Sequence, residues 1–424
     1  MEENMINESS NIMPEDIEIW YFIEYEIKRA MNLYGFKEVR TPIIQSVDLY
    51  KNYFKHTRSY SKESLDKLIY KIKNADNLCL RPEGTLSILQ TEISKKALEK
   101  PQKVFYQGIM FRKDVQKQFY QVGVEIFGTD NIISDIEILQ LATKVFSSFG
   151  LTNVSLEINS HGCIKCYPKY IKKLKRFLDL NPGGLCLDCE TGTKKYPLNI
   201  YKCDENICID YGRMAPKSID NLCSECLENF KSHKKILSNL GISFTVNPYL
   251  IMHYDYYTRI VFNFSVKDDD KRKTIIALGG RFDSLAKHIT KLPLSAVGLS
   301  FNIEDVINVM KNRKAMPRSR KVFSVCIFAV AHSMDLMILQ VANELHSNEI
   351  CAIITANIVS REQINDFIMN NKHNVYLVFR EDLIREGKLM MITNNLNQDK
   401  ITQDTMYLSD IMENIKRTKR QVNL

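Results

Sequence analysis

No stretch of this 424-residue chain stays apolar for long. The longest such run opens at Val322 and ends near Ala331, far short of the ~20 residues a membrane span needs. The first residues, Met-Glu-Glu-Asn-Met-Ile-Asn-Glu, are acidic and lack the apolar stretch of a secretory signal. They are also too acidic for an organelle transit peptide. There is no internal repeat and no long low-complexity tract. These absences set the expectation of a cytoplasmic protein with no membrane association. Charge is not one-sided either. Lys plus Arg is 58 and Asp plus Glu is 50, a net +8. That mild basic excess is compatible with nucleic-acid binding but does not establish it. An apolar fraction of 45% and a charged fraction of 25% are ordinary for folded proteins and argue against disorder. At roughly 150 residues per domain, two or three domains are expected.

Cysteine, by contrast, is concentrated. Of 11 cysteines, eight fall between Cys163 and Cys226. They form the pairs Cys163/Cys166, Cys186/Cys189, Cys203/Cys208 and Cys223/Cys226. Such short spacings let two thiolates reach one tetrahedral zinc at ~2.3 Å. A disulfide framework would need an oxidising compartment, which nothing in the sequence supports. The plainer alternative is a set of free, partly buried thiols or the relic of a metal site. Residues 161–245 hold 14 Lys/Arg and 9 Asp/Glu, so over half of the excess charge sits in one fifth of the chain. Two zinc-bound four-cysteine sites would contribute about −2 each, removing most of that local excess and the electrostatic case for RNA there.

The periodicity predicts a helix from Asp16 as N-cap, with Trp20, Ile23, Ile27, Met31 and Tyr34 on one stripe and Gly35 ending it. Phe36 to Ile44 reads as a strand confined by Pro42 to an edge or bulge. Lys51 to Asn77 is a polar stretch with one helix. Leu78 to Leu80 is a strand whose turn opens a helix. Lys103–Phe111 and Gln118–Gly128 alternate and read as an antiparallel hairpin. A helix follows at Asp135–Phe149 and a strand at Val154–Ile158. After the cysteine-rich interruption, strands return at Ile260–Val266 and Thr274–Leu278, with helices after Arg281 and Phe301. Residues 314–321 read as a linker. Beyond it, strands at Val322–Val330, Ile350–Thr355 and Asn374–Phe379 alternate with helices at Met334–Leu345 and Arg361–Met369. That pattern fits a small α/β domain with a mostly parallel sheet. The basic end, Lys416 to Arg420, fits a solvated helix end or a nucleic-acid contact.

Several short segments combine charge with tight backbone. In Leu80-Arg-Pro-Glu-Gly-Thr85, Glu83 fits either an acceptor for an ammonium group or a partner of a helix dipole. Arg112, Gln121 and Glu125 sit among apolar residues of the hairpin, where charge is rarely buried without a partner. They fit polar hooks on a sheet floor, or an internal Arg–Glu pair. Asp255-Tyr-Tyr257 and Gly279-Gly-Arg-Phe-Asp283 look like a ligand wall and a close backbone approach.

This ordered set resembles the histidyl-tRNA synthetase family of class II aminoacyl-tRNA synthetases. The resemblance runs from Met13-Pro-Glu-Asp16 through Arg81–Thr85 and Phe111–Gly128 to Glu157-Ile-Asn-Ser-His-Gly162. It continues through Asp255–Phe262 and Leu278–Asp283 to Ala296-Val-Gly298. The cysteine-paired insert resembles the insertion domain of some bacterial members, and the last segment resembles the anticodon-binding domain. The implied fold class is α+β: an antiparallel six-stranded class II core at 1–160 and 246–313, a Cys-rich insertion domain at 161–245, and an anticodon-binding-like α/β domain at 322–424. The resemblance also implies a homodimer and a two-step reaction. ATP activates histidine to the adenylate, and the 3′ end of tRNA then takes the acyl group. ATP with Mg would belong to that reaction, and zinc to the cysteines. By position, Glu83, Thr85, Gln121, Glu125, Tyr256 and Tyr257 match histidine-binding residues. Arg112 matches the arginine on the ATP α-phosphate.

The departures cluster on the ATP side. Met252 stands where the family has an arginine that stabilises charge developing on carboxylate and phosphate. Asp305 stands where it has the arginine on adenine and γ-phosphate, and Asn302 replaces a glycine. The hairpin loop Lys113–Lys117 is about five residues short. Each lost transition-state stabiliser costs about 10²–10³ in rate. Lys113, Lys117 and Arg259 are candidate substitutes, though Arg259, seven residues past Met252 on a strand, is expected on the opposite face. The expectation is a binding or regulatory protein with a histidine-like pocket and an impaired ATP site, one that senses histidine or tRNA or works with a partner enzyme as the regulatory subunit of ATP phosphoribosyltransferase does. The alternative is an active histidine–tRNA ligase.

Overall fold

The computed structural model describes residues 11–54, 62–75, 77–113, 117–180, 183–252, 256–267, 273–313, 323–329, 334–355, 360–395 and 400–422. The chain forms two compact units, Met1–Pro317 and Arg318–Leu424. The expected linker at 314–321 and the residues His253, Tyr254 and Asp255 lie outside the described residues.

The strands of the first unit are β1 (Lys37–Glu38), β2 (Ile44–Ser46), β3 (Leu78–Leu80), β4 (Gln102–Met110), β5 (Phe119–Phe127), β6 (Ser155–Gly162), β7 (Thr245–Val246), β8 (Thr258–Lys267), β9 (Lys273–Arg281) and β10 (Ala296–Asn302). The main sheet has the order β1-β4-β5-β10-β9-β8-β6-β7. Its six central strands pair antiparallel, as the sequence implied. The two-residue strands β1 and β7 extend it in parallel at either edge. The single strand expected across Phe36–Ile44 is broken around Pro42, which cannot donate to a ladder, and its second part pairs with β3 instead. The stretch from Lys51 to Asn77 carries the helix Lys62–Leu68, as expected, and its first residues belong to the end of the helix Val47–Phe54. The first helix runs Pro14–Leu33 and starts two residues before Asp16, because proline is well suited to the first helical position. Gly35 takes the left-handed conformation at its end, with φ +75°.

Alternation along the hairpin separates two layers of core. Phe105, Val122, Val124 and Ile126 face the helices Pro14–Leu33, Ile132–Ser148 and Ile303–Asn312. Val104, Tyr106, Met110, Phe119 and Phe127 face the other side, under Val47–Phe54, Thr85–Leu89 and Asp283–Thr290. The candidate site lies on this second face.

The insert is helical, with α-helices Cys166–Leu180, Leu187–Lys195, Asn206–Met214 and Ser224–Asn239. Tyr170, Leu174 and Leu178 recur every four residues and bury one face of the first of these in a small core of its own. The last helix is tied to the sheet through a buried network. His233 Nε2 lies 2.9 Å from Asp135 Oδ2, and Arg281 Nε donates to Asp135 Oδ1 at 2.9 Å. Arg281 is fully buried and also donates to Thr129 O, Ser134 Oγ and Asp283 Oδ1.

The second unit carries β11 (Ser324–Ala329), β12 (Cys351–Thr355), β13 (Val375–Phe379), β14 (Lys388–Asn395) and β15 (Lys400–Tyr407), in the order β12-β11-β13-β14-β15. The first three strands are parallel, as expected. The antiparallel pair β14 and β15 was not legible in the sequence, whereas Lys416 to Arg420 fall at the end of the closing helix Ile411–Val422, in line with a solvated helix end.

Candidate amino-acid site

The site is built where β4, β5 and β10 run side by side beneath the helix Thr85–Leu89. On β5, Gln121, Gly123 and Glu125 share one face. Tyr106 of β4 pairs in register with Gly123, and Gly298 of β10 pairs with Glu125. Those glycines are required by space. A Cβ at Gly123 would lie 2.2 Å from the Tyr106 ring, one at Gly84 2.3 Å from it, and one at Gly298 1.7 Å from Glu125 Oε2.

Hydrogen bonds order the polar groups. Tyr106 OH donates to Gln121 Oε1 at 3.0 Å and lies 3.4 Å from Thr85 Oγ1. Thr85 Oγ1 donates to Glu125 Oε1 at 2.7 Å. Glu125 is 2% exposed and its Oε2 has no hydrogen-bond partner. Burial, reinforced by the nearby Glu83 charge, pushes the Glu125 carboxyl well above the usual carboxylate range, despite the Thr85 bond. Glu83 accepts from the backbone N–H groups of Thr85 (2.7 Å) and Leu86 (2.9 Å), so its oxygens hold the start of the short helix. Burial raises its carboxyl too, against the pull of those bonds.

A small pocket, partly open to solvent, lies in front of Glu125. Thr85, Glu125, Tyr256 and Tyr257 line it, with Ser300 and Phe282 on the remaining walls. The two tyrosine rings stack with centroids 4.6 Å apart. Of the six expected histidine-binding residues, four therefore line one cavity, whereas Gln121 and Glu83 are not among its lining residues. Arg112 also stands outside the lining. Its Nε donates to Pro82 O at 2.9 Å and its guanidinium lies over the Phe119 ring. Tyr106 and Ser300 were missed in the sequence. The signal for Tyr106 was the pair of glycines, Gly84 and Gly123, which make sense only once the strand register is known.

The family described as Histidyl-tRNA synthetase matches residues 9–166 of this chain. The histidine–tRNA ligase of Syntrophotalea carbinolica is 31% identical over 323 residues, 74% of this chain and 76% of that protein. The histidine–tRNA ligase of Thermodesulfovibrio yellowstonii is 29% identical over 428 residues, 98% of this chain and 99% of that one. This chain belongs to the histidyl-tRNA synthetase family. In fold, the chain is similar to the apo histidyl-tRNA synthetase of S. aureus, with a TM-score of 0.77 at 24% identity, covering 96% of this chain and 98% of that one.

The residues expected to depart from the histidyl-tRNA synthetase pattern occupy specific places. Met252 is 4% exposed and packs in an apolar cluster with Leu250, Tyr257, Val261 and Phe282. Asp305 sits in the first turn of the helix Ile303–Asn312 and accepts from Asn302 Nδ2 at 3.1 Å. Burial raises its carboxyl, and the Asn302 bond offsets part of that. Beside it, both oxygens of Glu304 accept from Tyr120 N, at 2.8 and 3.0 Å, and tie this helix to β5. Arg259 departs from regular strand geometry, with φ +55° at a bulge in β8, so simple alternation does not fix its direction. Its guanidinium lies 3.9 Å from Glu225 of the insert. Lys113 Nζ donates to Asp66 O at 3.3 Å and lies over the Tyr70 ring.

In the insert, the four cysteine pairs combine in nested fashion. Cys163, Cys166, Cys223 and Cys226 form one cluster, and Cys186, Cys189, Cys203 and Cys208 the other, with the sulfurs of each within 4.8 Å of one another. Cys163 and Cys166 Sγ are 3.6 Å apart, and Cys186 and Cys203 Sγ 3.8 Å. Sulfurs at the corners of a zinc tetrahedron with ~2.3 Å bonds stand about 3.8 Å apart, so the spacing fits a metal. Backbone N–H groups of Cys223 and Cys186 donate to Cys166 Sγ (3.0 Å) and Cys208 Sγ (3.2 Å). Burial pushes the Cys163 thiol up, but the N–H groups of Lys165 and Cys166 outweigh it and bring it down to about 7. Hydrogen bonding from the Cys189 backbone lowers Cys186 in the same way. Each cluster thus has one thiol readied for ionisation.

Proposed function

We propose that this histidyl-tRNA synthetase-like chain binds histidine, or a close relative of it, and is impaired in ATP-dependent activation, so that it works by binding or regulation. The observation that carries this is Glu125, buried with one bare oxygen beside a cavity roofed by stacked tyrosines. An imidazole N–H suits that oxygen, and Thr85 with Glu83 lies on the side where an α-ammonium group would be received. On the nucleotide side, Met252 and Asp305 replace two cations, and Arg112 is the matching cation that remains. Tyr256, Tyr257 and Gln121 complete the amino-acid site. A homodimer, contact with tRNA and a partner enzyme belong to the same reading, as does a cytoplasmic setting.

The two cysteine clusters would each hold one zinc. Bound zinc would supply a structural clip with all four positions taken by cysteine and no open position for chemistry. The first cluster joins the two crossings between sheet and insert, since Cys163 follows β6 and Cys223 opens the helix that leads back to β7. Elemental analysis is expected to give two zinc ions per chain, and a chelator to melt the insert.

The second reading is an active ligase. It is favoured by the alignment with the Thermodesulfovibrio yellowstonii ligase from end to end, insert and second unit included. One experiment separates the two: histidine-dependent ATP–pyrophosphate exchange measured alongside calorimetric histidine binding. Binding without exchange supports the first reading. Exchange at rates usual for synthetases establishes the second. Neither signal means a different ligand.

A further inference from the structure

We propose that Tyr106 is a positioning residue for the amino-acid ligand, its hydroxyl fixing the Gln121 amide and standing behind the Thr85–Glu125 pair. The inference rests on reading the cavity as an amino-acid site. Tyr106 is 3% exposed and does not line the cavity. Its ring is held in a slot with no room for a side chain on either flank, because Gly84 and Gly123 would each place a Cβ within 2.3 Å of it. A ring so confined cannot swing its hydroxyl away.

The proton assignments then follow in order. Tyr106 has one proton, and Gln121 Oε1 at 3.0 Å is nearer than Thr85 Oγ1 at 3.4 Å. Thr85 gives its own proton to Glu125 Oε1 at 2.7 Å. With Gln121 Oε1 engaged by Tyr106, the amide nitrogen of Gln121 is turned away from Tyr106. With Glu125 Oε1 filled, Oε2 is the atom of this set without a partner. The arrangement exists before any ligand arrives, so little ordering remains to be done on binding.

The test is a double-mutant cycle on the full chain, with histidine affinity read by calorimetry. Tyr106→Phe removes one oxygen and keeps the ring in its slot. It is expected to weaken histidine binding about three- to tenfold, the worth of one neutral hydrogen bond. In a Gln121→Ala background the same change is expected to have no further effect, because its route to the ligand is gone. A role confined to core packing predicts equal losses in both backgrounds, and that result overturns the inference. Unchanged affinity in Tyr106→Phe overturns it as well while leaving the amino-acid reading intact. No histidine binding by the unmodified chain overturns both. Thermal melting of each variant checks that folded protein is being compared.

Discussion

The cavity and the apolar cluster around Met252 solve different problems. At the cavity, glycines at 84, 123 and 298 admit bulky and polar groups to positions that any Cβ would block. The result is a chain of hydrogen bonds that ends on a bare carboxylate oxygen. Around Leu250 and Met252, which are not among the cavity's lining residues, the packing is apolar. Among the described residues, no lysine or arginine lines the cavity. The difference teaches that Met252, where the family resemblance leads one to expect an arginine, is a buried part of the apolar core. Methionine, unbranched and adaptable, suits such packing. The cavity is organised for a ligand, whereas the apolar cluster is organised for stability.

The sharpest way to break this comparison is Met252→Arg. If the apolar cluster is true core, the change buries a charge without a partner and should cost about 3–5 kcal/mol, read as a drop in denaturant midpoint. If the arginine instead reaches the cavity, stability will hold and ATP–pyrophosphate exchange will rise about 100-fold or more. Simple restoration of the two family arginines is therefore not a neutral repair, since one of the positions has been absorbed into packing.

Glu125→Gln tests the cavity. It should weaken histidine binding about ten- to a hundredfold, the range for a hydrogen bond to a charged group. It should also change the pH dependence of stability. Because the folded chain raises the Glu125 carboxyl above its ordinary 4.5, the folded state holds that proton more tightly than the unfolded one. The contribution is fully present below about pH 4.5 and is lost as pH rises through the folded value. The glutamine variant should lack that decline, so its thermal midpoint at neutral pH should exceed that of the unmodified chain by a few degrees. Next in size is Asp305→Asn. A carboxylate ~4 Å from a phosphate would oppose it by up to about 4 kcal/mol at an effective dielectric of 20. Solvent screening reduces this to about 1 kcal/mol, or roughly fivefold tighter ATP binding in the variant.

How much of this was legible in sequence depends on the length scale of each signal. The hairpin was legible because eighteen strand residues alternate, in β4 and β5 of nine residues each. The edge strand β1 falls within the strand expected at Phe36–Ile44, whereas β7 was not legible, since two residues carry no period. In the second unit, β14 and β15 hide their alternation behind Asn, Gln, Thr and Lys, which are acceptable on exposed strands but do not announce them. Within the site, Glu125 and Thr85 could be singled out because a charged or polar group among apolar neighbours is unusual. Tyr106 could not, because an aromatic residue on an alternating strand reads as ordinary core. Its role depends on Gly123 and Gly84 standing opposite it, and register is not written in either strand alone. The cysteine pairs were plain, but their nesting was not, because any two of four pairs could have shared a metal.

The smallest expected effect concerns His161, next to the apolar cluster. It lies at the end of β6, 3% exposed, with neither ring nitrogen hydrogen-bonded. The backbone of Leu250 lies near the ring, which stacks on Tyr167. Burial pushes its pKa down to about 4, so the ring is neutral across physiological pH. The folded state then binds a proton less readily than the unfolded one. Stability from this residue is fully present above about pH 6.5 and is lost as pH falls toward 4. Replacing an unsatisfied buried polar group by an apolar one of similar size is neutral or stabilising. His161→Leu should therefore raise stability at neutral pH by about 0.5–1 kcal/mol and flatten the loss between pH 6.5 and 4. If histidine and ATP affinities stay the same, the apolar cluster is passive packing and the polar group beside it is merely tolerated. If either affinity falls, the apolar cluster contributes to recognition after all, and its contrast with the cavity does not hold.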